Sequence, residues 1–220
     1  MFATVPPPSQ RLLVFARLPE LGKVKTRLAA DVGDARALAI YEAMLREVVV
    51  NVRASSRETE IEFLWAPTST ANGALLRAAF GPHAVAIQTG TTLGDRLSMA
   101  FSERFFFHRT EKIVAIGVDD PTLGRDLIDH AFALLDSCEM VIGPASDGGY
   151  YLIGSRALAF DPEIFHDIDW GTSTVFATTM KKIAALQRTV AVLPQRYDID
   201  TVADLQRHAA EFPDSELSRT

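Results

Sequence analysis

The sequence predicts an α/β fold, a mostly parallel central sheet with helices on both faces. Three observations predict it. Apolar runs of strand length alternate with segments of helical periodicity, the arrangement that produces covered parallel sheets. The first run, Leu12-Leu13-Val14-Phe15-Ala16, empties into a short cationic loop with a helix to follow. At 220 residues and 48% hydrophobic content, the chain suffices for one domain with a sizeable core and is too apolar for disorder.

In chain order, strands are expected at 12–16, 61–66, 84–88, 113–118, 140–144 and 190–193. Between the first two, Leu38, Tyr41, Leu45, Val48, Val49 and Val52 recur at helical spacing. Thr70 is placed to cap a short helix over 70–80, which Gly81-Pro82 would end. Helices over 93–107 and 126–135 follow, the second carrying Leu127, Ile128, Ala131, Leu134 and Leu135 on one side. Residues 147–174 are less regular. Thr201 and Asp204 read as the capping pair of a last helix opening at Val202. No internal repeat is visible, and 1–10 and 211–220 are expected to be frayed tails around a single domain at 11–210.

Composition narrows the partners. The net charge of −6 and pI near 5.4 argue against nucleic acid or an anionic membrane. Positive charge is instead local, at Lys23, Lys25 and Arg27, which suits a small anion. The single cysteine, Cys138, excludes an internal disulfide and a cysteine-rich zinc site, and beside Met140-Val141-Ile142 it reads as a buried inert thiol. The proline-rich first ten residues carry no secretory pattern, and no apolar run reaches membrane-span length. A cytoplasmic protein is expected; its oligomeric state is not legible.

Five blocks carry chemistry. Gly22-Lys23-Val24-Lys25-Thr26-Arg27 follows the first strand, and ligands bind in open α/β sheets at the carboxyl ends of strands. Its cations, beside backbone N–H groups freed by Gly22, suit a di- or triphosphate, although the block is neither a Walker A nor a dinucleotide glycine motif. Gly117-Val118-Asp119-Asp120-Pro121 sets two carboxylates where a core strand stops. Mg²⁺ takes one or two carboxylates plus phosphate oxygens, so Asp119 is assigned to a divalent metal and Asp120 to a turn or cap.

In Asp147-Gly148-Gly149-Tyr150, Asp147 could accept from sugar hydroxyls or act as a base. The glycines would allow close approach and Tyr150 would form a wall; Asp-Gly is equally a hairpin signal, here between 140–144 and 150–153. The loop Gly90-Thr91-Thr92-Leu93-Gly94-Asp95-Arg96 could contact a base or ribose, with Arg96 facing phosphate, or simply cap a helix through Thr92. Trp170, ahead of a late helix, could stack on an acceptor or fill core. In Tyr197-Asp198-Ile199-Asp200, the two aspartates share a face if extended, and one could complete a metal site with Asp119. The five histidines, His83, His108, His130, His166 and His208, show no ligand spacing.

Taken in this order over residues 11–205, these blocks resemble the bacterial GT-A-type glycosyltransferase-like proteins known as radical-SAM/selenodomain-associated or arsenosugar-biosynthesis transferases. Those share the nucleotide-diphosphosugar transferase fold with molybdenum-cofactor and phospholactate guanylyltransferases. The resemblance rests on Phe15-Ala16-Arg17-Leu18-Pro19 with 22–28, on Leu93-Gly94-Asp95-Arg96-Leu97, on Gly117-Val118-Asp119-Asp120-Pro121, on Gly143-Pro144 with 147–152, and on Tyr197-Asp198-Ile199-Asp200-Thr201. It implies a three-layer Rossmann-like GT-A sandwich, a nucleotide held by Ala16, Arg17, Gly22, Lys25, Arg27, Gly94 and Arg96, and Mg²⁺ or Mn²⁺ at Asp119 and Asp200. Asp119 and Asp147 would be catalytic, and Asp147, Gly148, Gly149, Tyr150 and Trp170 would meet sugar or acceptor. The nucleotide half would run from 11 to about 120 and the acceptor half from 121 to 210. Arg17 stands where a lysine is usual, and Val118 and Asp120 replace a small polar residue and a cysteine.

Three functions compete. The first is a metal-dependent glycosyltransferase moving a sugar from a nucleotide-sugar to a small-molecule acceptor. The second is a nucleotidyltransferase that uses a nucleoside triphosphate and releases pyrophosphate. The third is a non-catalytic nucleotide-sugar-binding protein. One fold hosts sugar and nucleotidyl transfer alike, so the donor, acceptor and stereochemistry stay open.

Overall fold

Residues 9–53, 59–66 and 84–220 are described by the computed structural model. The helix expected over 70–80 lies outside them, as do residues 1–8. The chain runs β1 (Gln10–Ala16), α1 (Thr26–Val32), α2 (Asp34–Arg53), β2 (Thr59–Trp65), β3 (Ala84–Ile87), α3 (Leu93–Phe106), β4 (Lys112–Ile116), α4 (Arg125–Leu134), β5 (Met140–Pro144), β6 (Tyr150–Arg156), α5 (Val175–Ala185), β7 (Val190–Val192) and α6 (Val202–Glu211). The strands form one sheet in the order β3-β2-β1-β4-β6-β5-β7. Among the described strands, only β6 runs antiparallel to its neighbours, β4 and β5.

Side chains alternate across a strand, and β1 is apolar on both faces. Leu12, Val14 and Ala16 join a cluster with Tyr41, Leu45, Val48 and Val52 of α2 and Ile128, Ala131 and Phe132 of α4. Leu13 joins the opposite cluster, with Leu97, Phe101 and Phe105 of α3 and Ile183 of α5. The sheet is thereby covered on both sides, the three-layer sandwich that the alternation of elements predicts. Two helix starts carry reciprocal caps. The Asp95 N–H donates to Thr92 Oγ1 at 3.1 Å while the Thr92 N–H donates to Asp95 Oδ2 at 2.9 Å. Thr201 and Asp204 do the same for α6.

The Asp147-Gly148 turn closes the hairpin that Asp-Gly signals, and Tyr150–Arg156 is a buried central strand, β6. The end of the chain is more ordered than expected. Leu217 is buried in a third cluster with Leu28, Ile40, Met44 and Ile199, and its N–H donates to Glu47 Oε1 at 2.8 Å. The Arg46–Glu216 ion pair at 2.6 Å adds a polar tie to the same segment. Among the described residues, no helix is long and apolar enough to cross a membrane.

The topology locates a crevice. From β1 the chain moves outward to β2 and β3, then returns to β4 on the other side of β1. Loops leaving the carboxyl ends of β1 and β4 therefore diverge, and ligands of open α/β sheets bind at such a switch point.

Candidate functional site

Lys25 stands in the loop after β1, at the start of α1, in a left-handed conformation (φ 46°, ψ 47°). A residue with a Cβ pays roughly 1–2 kcal/mol to adopt it. From there its side chain, 4% exposed, reaches the loops after β4 and β7. Its ammonium lies 2.5 Å from Asp119 Oδ1 and 3.0 Å from Asp200 Oδ1, and donates to the Ile199 carbonyl at 2.7 Å. Burial opposes this charge, but the two carboxylates outweigh it and hold the pKa above the ordinary lysine value. Arg27, 72% exposed, lies 3.5 Å from Asp200 Oδ2. Lys23 is tied at 2.6 Å to Glu20 within a turn that the positive φ of Gly22 permits.

The β4 loop is fastened from three directions. Asp120 is buried and 2.5 Å from Arg196 Nε, and it accepts from the N–H and hydroxyl of Thr122 at 3.0 and 2.6 Å. Asn51 donates to the Pro121 carbonyl at 2.7 Å, and the Ile199 N–H donates to the Asp119 carbonyl at 2.9 Å. Asp120 thus makes a turn and an ion pair, while Asp119 keeps a half-exposed carboxylate at the crevice. Beside it, Gly117, Asp119, Asp120, Leu123, Tyr150, Tyr151 and Asp198 line a small recess of about 50 Å³ that opens to solvent.

The remaining predicted residues divide. Tyr150 lines the recess, edge-on to Trp170 with ring centroids 6.1 Å apart, and Trp170 also packs on the core. Asp147 Oδ1 accepts from the Gly149 N–H at 2.8 Å. Gly148 has φ 91°, and a Cβ there would run into the Ser173 carbonyl. The Ala16 carbonyl accepts from the Ala66 N–H at 2.8 Å and from Gln88 Nε2 at 3.3 Å. The Arg17 side chain is exposed. Gly94 and Arg96 serve their own loop: Arg96 donates to the Gly90 and Thr91 carbonyls, and a Cβ on Gly94 would collide with the Phe165 carbonyl.

Sequence reasoning overlooked two residues. The Tyr41 hydroxyl both accepts from the Arg17 N–H and donates to the Arg17 carbonyl, each at 2.9 Å, which fixes the chain leaving β1. Tyr41 reads as one more apolar position of α2. Arg196 carries no pattern, although it directly precedes the Tyr197-Asp198 block.

A divalent metal at this crevice would need hard oxygen donors, and Asp119 and Asp198 are of that kind. Asp119 and Asp198 line one recess, and Asp198 is pushed up to about 7 by burial and then by Asp119 and Asp147, against the pull of Lys25. Carboxylates that resist ionising together are relieved by a cation. Among the described residues, no three or more His, Cys, Asp or Glu form a ready cage. The fit is therefore to a cation arriving with phosphate oxygens, as Mg²⁺ usually does.

The Asp198 shift has a consequence for pH. Between the ordinary aspartate pKa and about 7, the native state holds a proton that the unfolded chain has lost, so stability falls as pH rises through that window. Asp198→Asn removes this dependence. Without divalent ions, its melting temperature should gain on the wild type at pH 8 relative to pH 5; an equal difference at both pH values would refute the shift.

Comparison with known proteins agrees with the fold. A crystal structure from Desulfovibrio desulfuricans G20, of a protein provisionally named nucleotide-diphospho-sugar transferase, is 32% identical with a TM-score of 0.89. The match covers 96% of this chain and 91% of that one. The 4-diphosphocytidyl-2C-methyl-D-erythritol synthase of Anaerococcus prevotii DSM 20548 matches at TM-score 0.58 and 11% identity, over 93% and 96% of the two chains. Rv0371c of Mycobacterium tuberculosis H37Rv, crystallised with manganese, matches at 0.50 and 15%, over 90% and 97%. No curated protein matches this sequence. The model of the family described as "Uncharacterized protein conserved in bacteria (DUF2064)" matches residues 50–172.

Proposed function

Because this chain belongs to the DUF2064 family and has the nucleotide-diphospho-sugar transferase fold, we propose that it is a metal-dependent glycosyltransferase acting on a nucleotide-sugar donor and a small-molecule acceptor. One observation carries this reading. Lys25 from the β1 loop and Asp119 from the β4 loop meet at the switch point of the sheet, beside a small recess open to solvent. The narrower likeness to the radical-SAM/selenodomain-associated and arsenosugar-biosynthesis transferases, set by the five sequence blocks, points the same way.

The residues divide the work. Arg27, held loosely and exposed, meets the diphosphate, with Lys25 behind it. Asp119 would hold the divalent cation. Asp198 is its better partner, because it lines the same recess as Asp119, whereas Asp200 is held by Arg27 as well as Lys25. When bound, the cation would stabilise charge on the leaving diphosphate. Asp147, oriented by the Gly149 N–H, hydrogen-bonds the sugar or the acceptor. Tyr150, Tyr151 and Leu123 border the small recess beside Asp119, at which an acceptor would arrive. A second reading, nucleotidyl transfer with release of pyrophosphate, is favoured by the exposure of both Lys23 and Arg27, which leaves cations for a third phosphate.

A thermal-shift panel of nucleotide-sugars and nucleoside triphosphates, each with and without Mg²⁺ or Mn²⁺, tests the proposal. At a hundredfold excess over Kd, a ligand adds about 2.7 kcal/mol, roughly 5–10 °C for a domain of this size. The expected result is a metal-dependent shift with one nucleotide-sugar. A preference for a triphosphate selects nucleotidyl transfer, binding without turnover across an acceptor panel selects a binding protein, and no shift anywhere removes the nucleotide site.

A further inference from the structure

An ammonium group has three hydrogens, and on Lys25 each has an acceptor: Asp119 Oδ1, Asp200 Oδ1 and the Ile199 carbonyl. The carboxylate assigned above to a divalent cation is therefore already neutralised by the protein itself. A cation entering alone would compete with a charge 2.5 Å from that carboxylate. Displacing the lysine would cost its buried ammonium the nearer of its two carboxylates, at 2.5 Å against 3.0 Å for Asp200. A diphosphate removes the obstacle because it offers Lys25 a new anion as Asp119 is given up. Asp200 and the Ile199 carbonyl would keep the ammonium anchored during the exchange.

We propose that Lys25 is a resident counter-cation that makes divalent-metal binding conditional on phosphate. Its ammonium leaves Asp119 for a phosphate oxygen when metal and nucleotide enter together, so neither ion fills the site without the other. This deepens the metal–nucleotide reading above and rests on it. It holds for sugar and nucleotidyl transfer alike, because both substrates present a diphosphate.

The test is water-proton relaxation enhancement by Mn²⁺, which reports metal held by the macromolecule, measured with Mn²⁺ alone and with inorganic pyrophosphate added. Wild-type protein should hold Mn²⁺ weakly alone and at least about tenfold more tightly with pyrophosphate, within the usual range of coupling between sites. Lys25→Met should hold Mn²⁺ alone at least about tenfold more tightly than wild type, with a smaller further gain from pyrophosphate than the wild type shows. Equal affinity of wild type and Lys25→Met for Mn²⁺ alone overturns the counter-cation role and leaves the metal assignment standing. No Mn²⁺ held by either protein under any condition overturns the metal assignment, and the counter-cation role with it. If Lys25→Met does not fold, the wild type decides, since an affinity indifferent to pyrophosphate also overturns the proposal.

Discussion

Asp119→Asn is expected to abolish metal-dependent nucleotide binding while leaving the fold in place. The substitution keeps the shape of the side chain and removes the charge that a divalent cation needs. Groups that merely orient a metal ligand are worth about 10–100-fold in affinity, so losing the ligand should cost at least the upper figure. The fold should survive because the loop does not depend on this carboxylate. The Asp119 carbonyl accepts from Ile199, Asp120 is locked to Arg196 and Thr122, and Asn51 holds Pro121. Lys25 loses one partner and keeps Asp200 and the Ile199 carbonyl. The checks are calorimetric titration of a nucleoside diphosphate with and without Mn²⁺, and the melting temperature of the free protein. An unchanged gain from Mn²⁺ in the variant would remove Asp119 from the metal site.

Asp119 and Asp120 show what a sequence can and cannot reveal. Both follow a core strand and look alike as letters. The Thr122 contacts that make Asp120 a turn residue are local, so that part is legible two residues away. Its ion pair with Arg196 spans 76 positions and is set by the tertiary fold. The same limit applies to Lys25. Strand, glycine and cations place it beside a ligand crevice, but its three acceptors come from loops that only the sheet order brings near. Gly94 illustrates the reverse. In sequence it is a loop glycine that could approach a ligand, while in the fold the absent Cβ makes room for the Phe165 carbonyl. Strand and helix positions were legible because periodicity is a local property. The antiparallel course of β6 was legible too, from the Asp-Gly turn before it, whereas the return of Leu217 depends on a distant hydrophobic cluster.

Glu62→Ala should cost about 3–5 kcal/mol of stability, the range for breaking a buried pair by removing one member. Glu62 interrupts the apolar run of β2, and a carboxylate in a core strand must be paired to be tolerated. Its partners are both arginines. Arg104 of α3 grips it with Nε at 3.0 Å and a terminal nitrogen at 2.5 Å, and Arg11 of β1 lies at 3.2 Å. All three side chains are buried, so the loss of Glu62 leaves two guanidinium groups facing each other with little water. Arg11 retains Glu60 at 2.9 Å and Arg104 retains Glu103 at 2.6 Å, which keeps the cost below that of two isolated charges. Burial opposes ionisation of Glu62, yet the arginines hold its pKa below the usual glutamate value. The unfolded chain therefore binds more protons just below that value, and this contribution is present at neutral pH and lost as pH falls through the carboxylate range. Urea titration at pH 7 measures the loss. A change under about 1 kcal/mol would mean that the arginines reach water or other acceptors without Glu62, and that β1, β2 and α3 are joined there by apolar contact alone.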